Sequence, residues 1–428
     1  MKINIFSILL LTFLIALSCK NEKAPATADP APANSEWVEL ISGKDMTGWK
    51  SSTENVGTWT VVDGMLQAVG KRNHLFYVGD QLKDSFKNFE LIATVKTFPL
   101  ANSGIYFHTH YQETGWPSTG MEIQVNNSHI GEGDYVELKK AGSLYGIRNV
   151  YKSFVEDNEW YETRALVEGK HVQIWLNGLK TVDYTEPDDF NGKKLSSGTF
   201  CLQGHDSLSK MQYKSFKVRR LPDDAVSNTV AAAFGPWQDS MAVLQSRQFA
   251  FIDLNPHTDL STDALVVYCY QSGINVSIVR DPAQAAELNN IGAQPVFKGI
   301  RVNALTIDTH QPGSEDYTVA ESKDLKEARA LLSSGKINIW SHHGEALTTK
   351  NASALIDLAK KNSVAIEIDN EARTPSAEVL KLAKAKGCRF TFANLVPASK
   401  MDASMYVIEV LKAAGMTYKD LYVPKGVM

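Results

Sequence analysis

Apolar and polar residues alternate with a period of two through the first half of the chain, and that period is lost near residue 240. In Asn102-Ser103-Gly104-Ile105-Tyr106-Phe107-His108-Thr109-His110, an extended strand puts Ile105, Phe107 and Thr109 on one face. Tyr106, His108 and His110 then fall on the other. The segment from Met121 to Asn126 repeats the pattern, with Met121, Ile123 and Val125 opposite Glu122, Gln124 and Asn126. Phe200 and Leu202 likewise alternate with Cys201, Gln203 and His205. If these strands are neighbours, one sheet face gathers His, Glu, Gln and Asn, as a cleft for a polar ligand requires. Residues 88–95 and 171–176 also alternate, and the second run meets Asn177-Gly178, a hairpin dipeptide. Further glycine turns at Asp63-Gly64, Glu168-Gly169 and Asn191-Gly192 complete the pattern of an antiparallel β-sandwich.

Residues 222–240, with Ala231-Ala232-Ala233 and Gly235-Pro236, read as a linker. Beyond it, strand-like runs at 250–254, 275–279, 337–341, 365–369 and 389–394 are interleaved with helical patterns at 262–272, 351–362, 376–386 and 403–414. Strand and helix in alternation predict parallel βα units, and so an α/β barrel behind the sandwich.

The N-terminus adds a location. A basic start at Lys2, an apolar run over residues 5–17 and Ser18-Cys19 describe a secretory signal too short to span a bilayer. The cysteine at the break resembles a bacterial lipoprotein signal, in which Cys19 would carry the lipid. The expected layout is a signal at 1–19, an Ala/Pro-rich tether at 20–35, a sandwich at 36–221, a linker at 222–240 and a barrel at 241–428. The expected location is the bacterial cell envelope, held to the membrane by the lipid and facing the periplasm or the cell surface. A net charge of −4 without a basic cluster argues against a nucleic-acid partner. Cys201, Cys269 and Cys388 are widely spaced within apolar patterns and read as buried small hydrophobes.

A family resemblance sharpens the polar face. Residues 37–50, from Trp37-Val38-Glu39-Leu40 through Gly43-Lys44-Asp45-Met46-Thr47-Gly48-Trp49, resemble the opening signature of the 3-keto-disaccharide hydrolase family. That family also includes 3-keto-glucoside lyases and 3-keto-2-hydroxyglucal hydratases. Trp59 to Leu66, Asn102-Ser103-Gly104-Ile105, Glu122-Ile123-Gln124, Leu144-Tyr145 and Leu202-Gln203-Gly204-His205 continue the pattern in order. The resemblance implies a concanavalin-like jelly roll acting on 3-keto-glycosides. A ketone at C3 makes the C2 hydrogen acidic, so a base can remove it, the C1 oxygen can leave, and water can add back. Such a site needs a base that titrates near neutrality, an acid for the leaving oxygen and an electrophile at the enolate. The resemblance points to Glu122 and His205 for acid and base work, with His108 next, although many relatives carry Arg where this chain has His108. Asn102, Gln124 and Gln203 would orient hydroxyls, and Tyr145 would contact the substrate. Trp175, on the polar side of its own strand, is a candidate stacking platform. His108, His110 and Glu122 have a spacing that could hold a divalent metal, the one cofactor expected. The same side chains would also serve a non-catalytic carbohydrate-binding lipoprotein.

The second half carries a different resemblance. Asp253-Leu254-Asn255-Pro256-His257-Thr258 and Glu367-Ile368-Asp369-Asn370 resemble motifs of the polymerase-and-histidinol-phosphatase (PHP) domain, a distorted (βα)7 barrel that hydrolyses phosphoesters with clustered metals. Here Asn255 stands for the first ligand histidine, Asn394-Leu395-Val396 for the late Asp-x-His, and Val279-Arg280-Asp281 for Thr-Asp-His. His257, Glu367 and His342 (or its neighbour His343) remain as a reduced metal set. The expectation is a degenerate barrel, with a metal-dependent phosphoesterase as the alternative.

Overall fold

The computed structural model describes residues 36–79, 85–133, 135–186, 193–227, 250, 252–258, 261, 265, 274–291, 296–311, 313, 315–395 and 406–424. Cys19 with its signal and tether, the Asn191-Gly192 turn, Cys269, Val396, most of the linker and nearly all of the 262–272 helix lie outside them. No helix among the described residues is long and apolar enough to cross a membrane.

The first region consists of β1 (Val38–Glu39), β2 (Trp49–Ser51), β3 (Trp59–Val62), β4 (Met65–Val69), β5 (Asn73–Tyr77), β6 (Phe89–Thr97), β7 (Asn102–Thr109), β8 (Met121–Asn126), β9 (Tyr161–Glu168), β10 (His171–Leu176), β11 (Leu179–Thr185), β12 (Thr199–Gly204) and β13 (Lys210–Arg220). They form an eight-stranded sheet, β11-β10-β9-β6-β13-β4-β3 with β1 on β13, and a five-stranded sheet, β2-β5-β12-β7-β8. Every pairing in both is antiparallel, giving a jelly-roll-like sandwich. Leu75, Leu202, Ile105 and Ile123 of the smaller sheet meet Leu91, Ala165, Ile174 and Phe216 of the larger in one apolar core. Facing residues on paired strands share a side, so the small sheet's other face carries a row of His74, Gln203, Gly104 and Gln124. Next to it runs Phe76, Cys201, Tyr106 and Glu122.

The second region closes β14 (Ile252–Asp253), β15 (Asn275–Arg280), β16 (Phe297–Val302), β17 (Tyr317–Ser322), β18 (Ile339–His342), β19 (Ala365–Asp369) and β20 (Phe390–Ala393) into a parallel barrel. Among the described residues, helices are fewer than a full (βα)7 repeat requires. Past the short α1 (Ala285–Asn289), the alternation is regular only from β17 onward, with α2 (Leu325–Ser333), α3 (Thr349–Lys361), α4 (Ala377–Ala385) and α5 (Tyr406–Ala413). Asp324, Thr348 and Ser376 cap α2, α3 and α4 by accepting from the N3 amides. After β16 the chain instead turns at Asn303, whose side-chain oxygen accepts from the Leu305 and Thr306 amides.

The barrel is packed against a segment of the first region. Tyr151, 2 % exposed, joins Ile252, Leu254, Phe297, Tyr317, Ile339 and Ala365, the inward residues of the barrel strands. Lys152 pairs with Asp316 at 2.6 Å, and the Asn275 amide donates to the Asn149 carbonyl at 2.7 Å. These contacts meet the N-terminal ends of β15, β16 and β17 and leave the opposite mouth free of them.

Candidate functional site

Glu122 stands at the centre of the small sheet's polar face. A Cβ on Gly104, diagonally across the ladder, would overlap the Glu122 carboxylate, so the glycine makes the space in which that side chain lies. Gln203 donates to Glu122 Oε1 at 3.2 Å and to the Tyr106 hydroxyl at 3.1 Å, while Tyr106 itself bonds Glu122. Burial, offset only in part by Tyr106, raises the Glu122 carboxyl to about 7. A carboxyl poised there can take or give a proton under ordinary conditions.

One wall of the cleft comes from residues 135–145, which the alternation of the sequence did not mark. Glu137 is fully buried and accepts from the hydroxyls of Tyr135 at 2.8 Å and Tyr145 at 2.9 Å, with Lys139 Nζ at 3.4 Å. This wall is tied to β8: Tyr145 N donates to the Glu122 carbonyl, and Gln124 and Asn126 donate to the Lys139 carbonyl. Asn102 bonds both Gln124 and the Tyr135 hydroxyl. Asn102, Gln124, Gln203 and Tyr145 therefore share the cleft with Glu122.

His205 continues the same face beyond Gln203. Its Nδ1 lies 2.7 Å from Asp206 Oδ2, its ring stacks on Tyr135 at 5.9 Å, and Trp116 lies 5.0 Å away. Burial would raise Asp206, but bonds from His205 and Ser209 outweigh it and hold that carboxyl at about 2. An ionised Asp206 accepts from Nδ1–H, which leaves Nε2 as the nitrogen that exchanges a proton with a ligand. His74, on β5 beside Gln203, is a further imidazole of this face.

His108 is not in the cleft. Between Tyr106 and Thr109 two residues of β7 face one of β12, and His108 takes φ 57°, so the alternation breaks at that bulge. Gly120 and Gly198 pack so closely on the backbone there that a Cβ on either would collide. The ring turns into the core beside Phe89 and Phe107, accepts from Ser196 N at 3.2 Å and bonds the Lys87 carbonyl at 2.9 Å. Burial lowers it to about 4, and it is a neutral structural group. His110 is exposed, 3.4 Å from Thr119. Among the described residues, no close set of metal-ligating side chains joins His108, His110 and Glu122. Trp175 lies on β10 of the larger sheet, under the Arg164 guanidinium at 4.2 Å, and so outside the cleft.

The barrel mouth collects a second polar cluster. Residues 317, 319 and 321 of β17, 339 and 341 of β18 and 365, 367 and 369 of β19 alternate inward, and His343 follows Ser341. This register turns His342 outward, where it bonds Ser322 at 2.8 Å and the Glu345 carbonyl at 2.7 Å. The inward imidazole is His343, 3.7 Å from Glu367 and 3.8 Å from Asp369. His257 lies 3.1 Å from Glu321. Two sets have donor atoms within 4.8 Å of one another: His257, Glu321 and His343, and His343, Glu367 and Asp369. They do not fit a metal cluster, because Arg301 places its guanidinium on Asn255 at 2.7 Å and on Glu321 at 2.9 Å. Glu367, whose Oε2 is buried without a hydrogen-bond partner, leaves the second set suited to one cation.

Comparison with known proteins separates the regions. Residues 36–219 match the family model of the 3-keto-alpha-glucoside-1,2-lyase-like domain. Every residue of the cleft lies inside that lyase-like segment. Among solved structures, a glycosyl hydrolase from Parabacteroides distasonis is 26% identical, over 44% of this chain and 94% of its own, with a TM-score of 0.37. The carbohydrate-binding module CBM66 of Bacillus subtilis is 15% identical over 40% of this chain and 95% of its own, with a TM-score of 0.26. No curated protein matches the chain.

Proposed function

We propose that the sandwich cleft cleaves 3-keto-glycosides by elimination and hydration. The observation that carries this reading is Glu122: a buried carboxyl raised to about 7, bonded by Gln203 and Tyr106 in a polar cleft of the lyase-like segment. Ionised Glu122 takes the C2 proton, and the electron pair enters the C3 ketone as an enolate. The enolate collapses, the C1–O bond breaks, and the departing oxygen takes the Nε2 proton of His205 in its doubly protonated form, whose charge the Asp206 carboxylate balances. Addition of water across the resulting C1–C2 double bond completes a net hydrolysis. Asn102, Gln124 and the Glu137–Tyr145 wall supply donors and acceptors for hydroxyls. In this reading the barrel is not the catalytic part, and any divalent ion it takes is held by His343, Glu367 and Asp369. A lipid on Cys19 would keep the enzyme in the envelope.

The test is incubation of purified protein with methyl 3-keto-glucoside, following released methanol and the 3-keto product by mass spectrometry. Release of both is the expected result. Saturable binding without release would make the cleft a carbohydrate-binding module. Release that survives Glu122→Gln and His205→Ala would show the wrong residues to have been assigned.

A further inference from the structure

His74 has no role in the acid–base scheme, yet its environment is unusual for a structural histidine. Its side chain is 0% exposed, and neither Nδ1 nor Nε2 has a hydrogen-bond partner. Leaving a buried polar atom unpaired costs about 1–3 kcal/mol, so two on one ring ask for an explanation. By contrast, His108 of the same sheet satisfies both of its nitrogens. His74 pairs across the ladder with Gln203, the residue that holds Glu122. It and Gly104, over which the Glu122 carboxylate lies, stand on the strands flanking Gln203, about 10 Å apart at two strand spacings. A sugar ring with its oxygens bridges that interval once the Glu122 side chain has covered its part.

Trp116 is what covers the ring. Its indole lies 5.4 Å from His74 and 5.0 Å from His205, is 43% exposed, and belongs to the connection between β7 and β8. That connection is fastened independently of the indole: Gln112 binds the Trp116 carbonyl at 2.9 Å, and Glu54 binds Gly115 N at 2.9 Å. Uncovering His74 on that side requires the indole to leave its contacts with His205 and with the Arg72 guanidinium 4.9 Å from the ring, while the backbone stays in place.

We infer that His74 is a substrate-contacting residue, a neutral imidazole that donates to the C3 oxygen of the sugar when Trp116 swings aside. This deepens the reading of the cleft given above and rests on it. Burial, foremost, lowers His74 to about 4, so the ring stays neutral at ordinary pH. A neutral imidazole polarises a carbonyl without adding a charge, and it strengthens its bond as the enolate forms. It supplies the electrophile that the chemistry needs and that Glu122 and His205 do not provide.

The experiment compares wild type, His74→Phe and His74→Gln on methyl 3-keto-glucoside, with thermal unfolding of each. Phe keeps the aromatic packing and removes both orphan nitrogens; Gln retains an N–H donor. The expected result for His74→Phe is a fall in kcat of about 10²-fold, a KM within about threefold of wild type and a Tm equal or higher. His74→Gln should recover part of the loss. Turnover by His74→Phe within twofold of wild type overturns the inference while leaving the Glu122 reading intact. A lowered Tm in both variants, with activity lost in proportion to folded protein, overturns it in favour of a packing role. Absence of turnover by wild type itself removes the Glu122 reading and this inference together.

Discussion

Glu122 and Glu367 are the same side chain in comparable positions, each buried on a β-scaffold with a carboxyl raised by burial, to about 7 and about 8 respectively. What surrounds them differs. Glu122 itself is bonded by neutral donors, the Gln203 amide and the Tyr106 hydroxyl, with the charged pairs Glu137–Lys139 and His205–Asp206 at the edges of its face. Glu367 lies among other ionisable groups, Asp369, His343 and Glu321, with the Arg301 guanidinium clamped on Glu321. The sandwich thus keeps a proton-transfer group among groups that can bind hydroxyls. The barrel spends its charges on one another, which suits a structural or ion-holding role. Burial of a carboxylate alone does not mark an active site; the chemistry of its partners does.

Substitutions separate the two regions. Glu122→Gln should lower turnover of a 3-keto-glucoside by about 10³-fold, whereas Glu367→Gln should leave kcat within twofold. A large loss in the barrel variant would reverse the comparison. Tyr151→Ala should cost about 3 kcal/mol in denaturant unfolding, because the ring fills the barrel floor. If the two regions depend on that contact, they will lose stability together. Arg301→Ala should cost about 2 kcal/mol by leaving Glu321 and Asn255 without their cation.

A smaller effect has a definite sign. The folded protein holds a proton on Glu122 up to about 7, while the unfolded chain releases it near the ordinary 4.5. Stability from this group therefore falls as pH rises between those values, and Glu122→Gln should gain about 3 kcal/mol at pH 8 but little at pH 4. Trp175→Ala should change turnover least, within twofold, since its ring packs under Arg164 on the larger sheet.

Period-two alternation carried much of the cleft. Met121 to Asn126 forms the expected strand, and Glu122, Gln124 and Gln203 share a face as the alternation requires. His108 escaped because the bulge depends on Gly120 and Gly198, residues distant from it along the chain. Glu137 and Tyr135 escaped because their segment is irregular, although Glu137-Leu138-Lys139-Lys140 is a charged run that could have drawn notice. His74 was legible in principle: it follows Asn73 and precedes the apolar run Leu75-Phe76 on a fully buried strand. In the barrel, five of the seven strands were readable; β16, β17 and the inward register were not, so His342 stood in for His343. Arg301 and Glu321 carried no motif and gained meaning only when the mouth brought them together.

The most direct test of Glu122 as the base is the pH dependence of kcat/KM for methyl 3-keto-glucoside between pH 5 and 9. A base must be ionised to act, so the wild-type value should rise with pH through about 7, the carboxyl's own range in the fold. Glu122→Gln should be lower by about 10³-fold and lack that limb. A wild-type profile that is flat or falls through pH 7, or a Glu122→Gln profile that keeps the limb, would contradict the assignment.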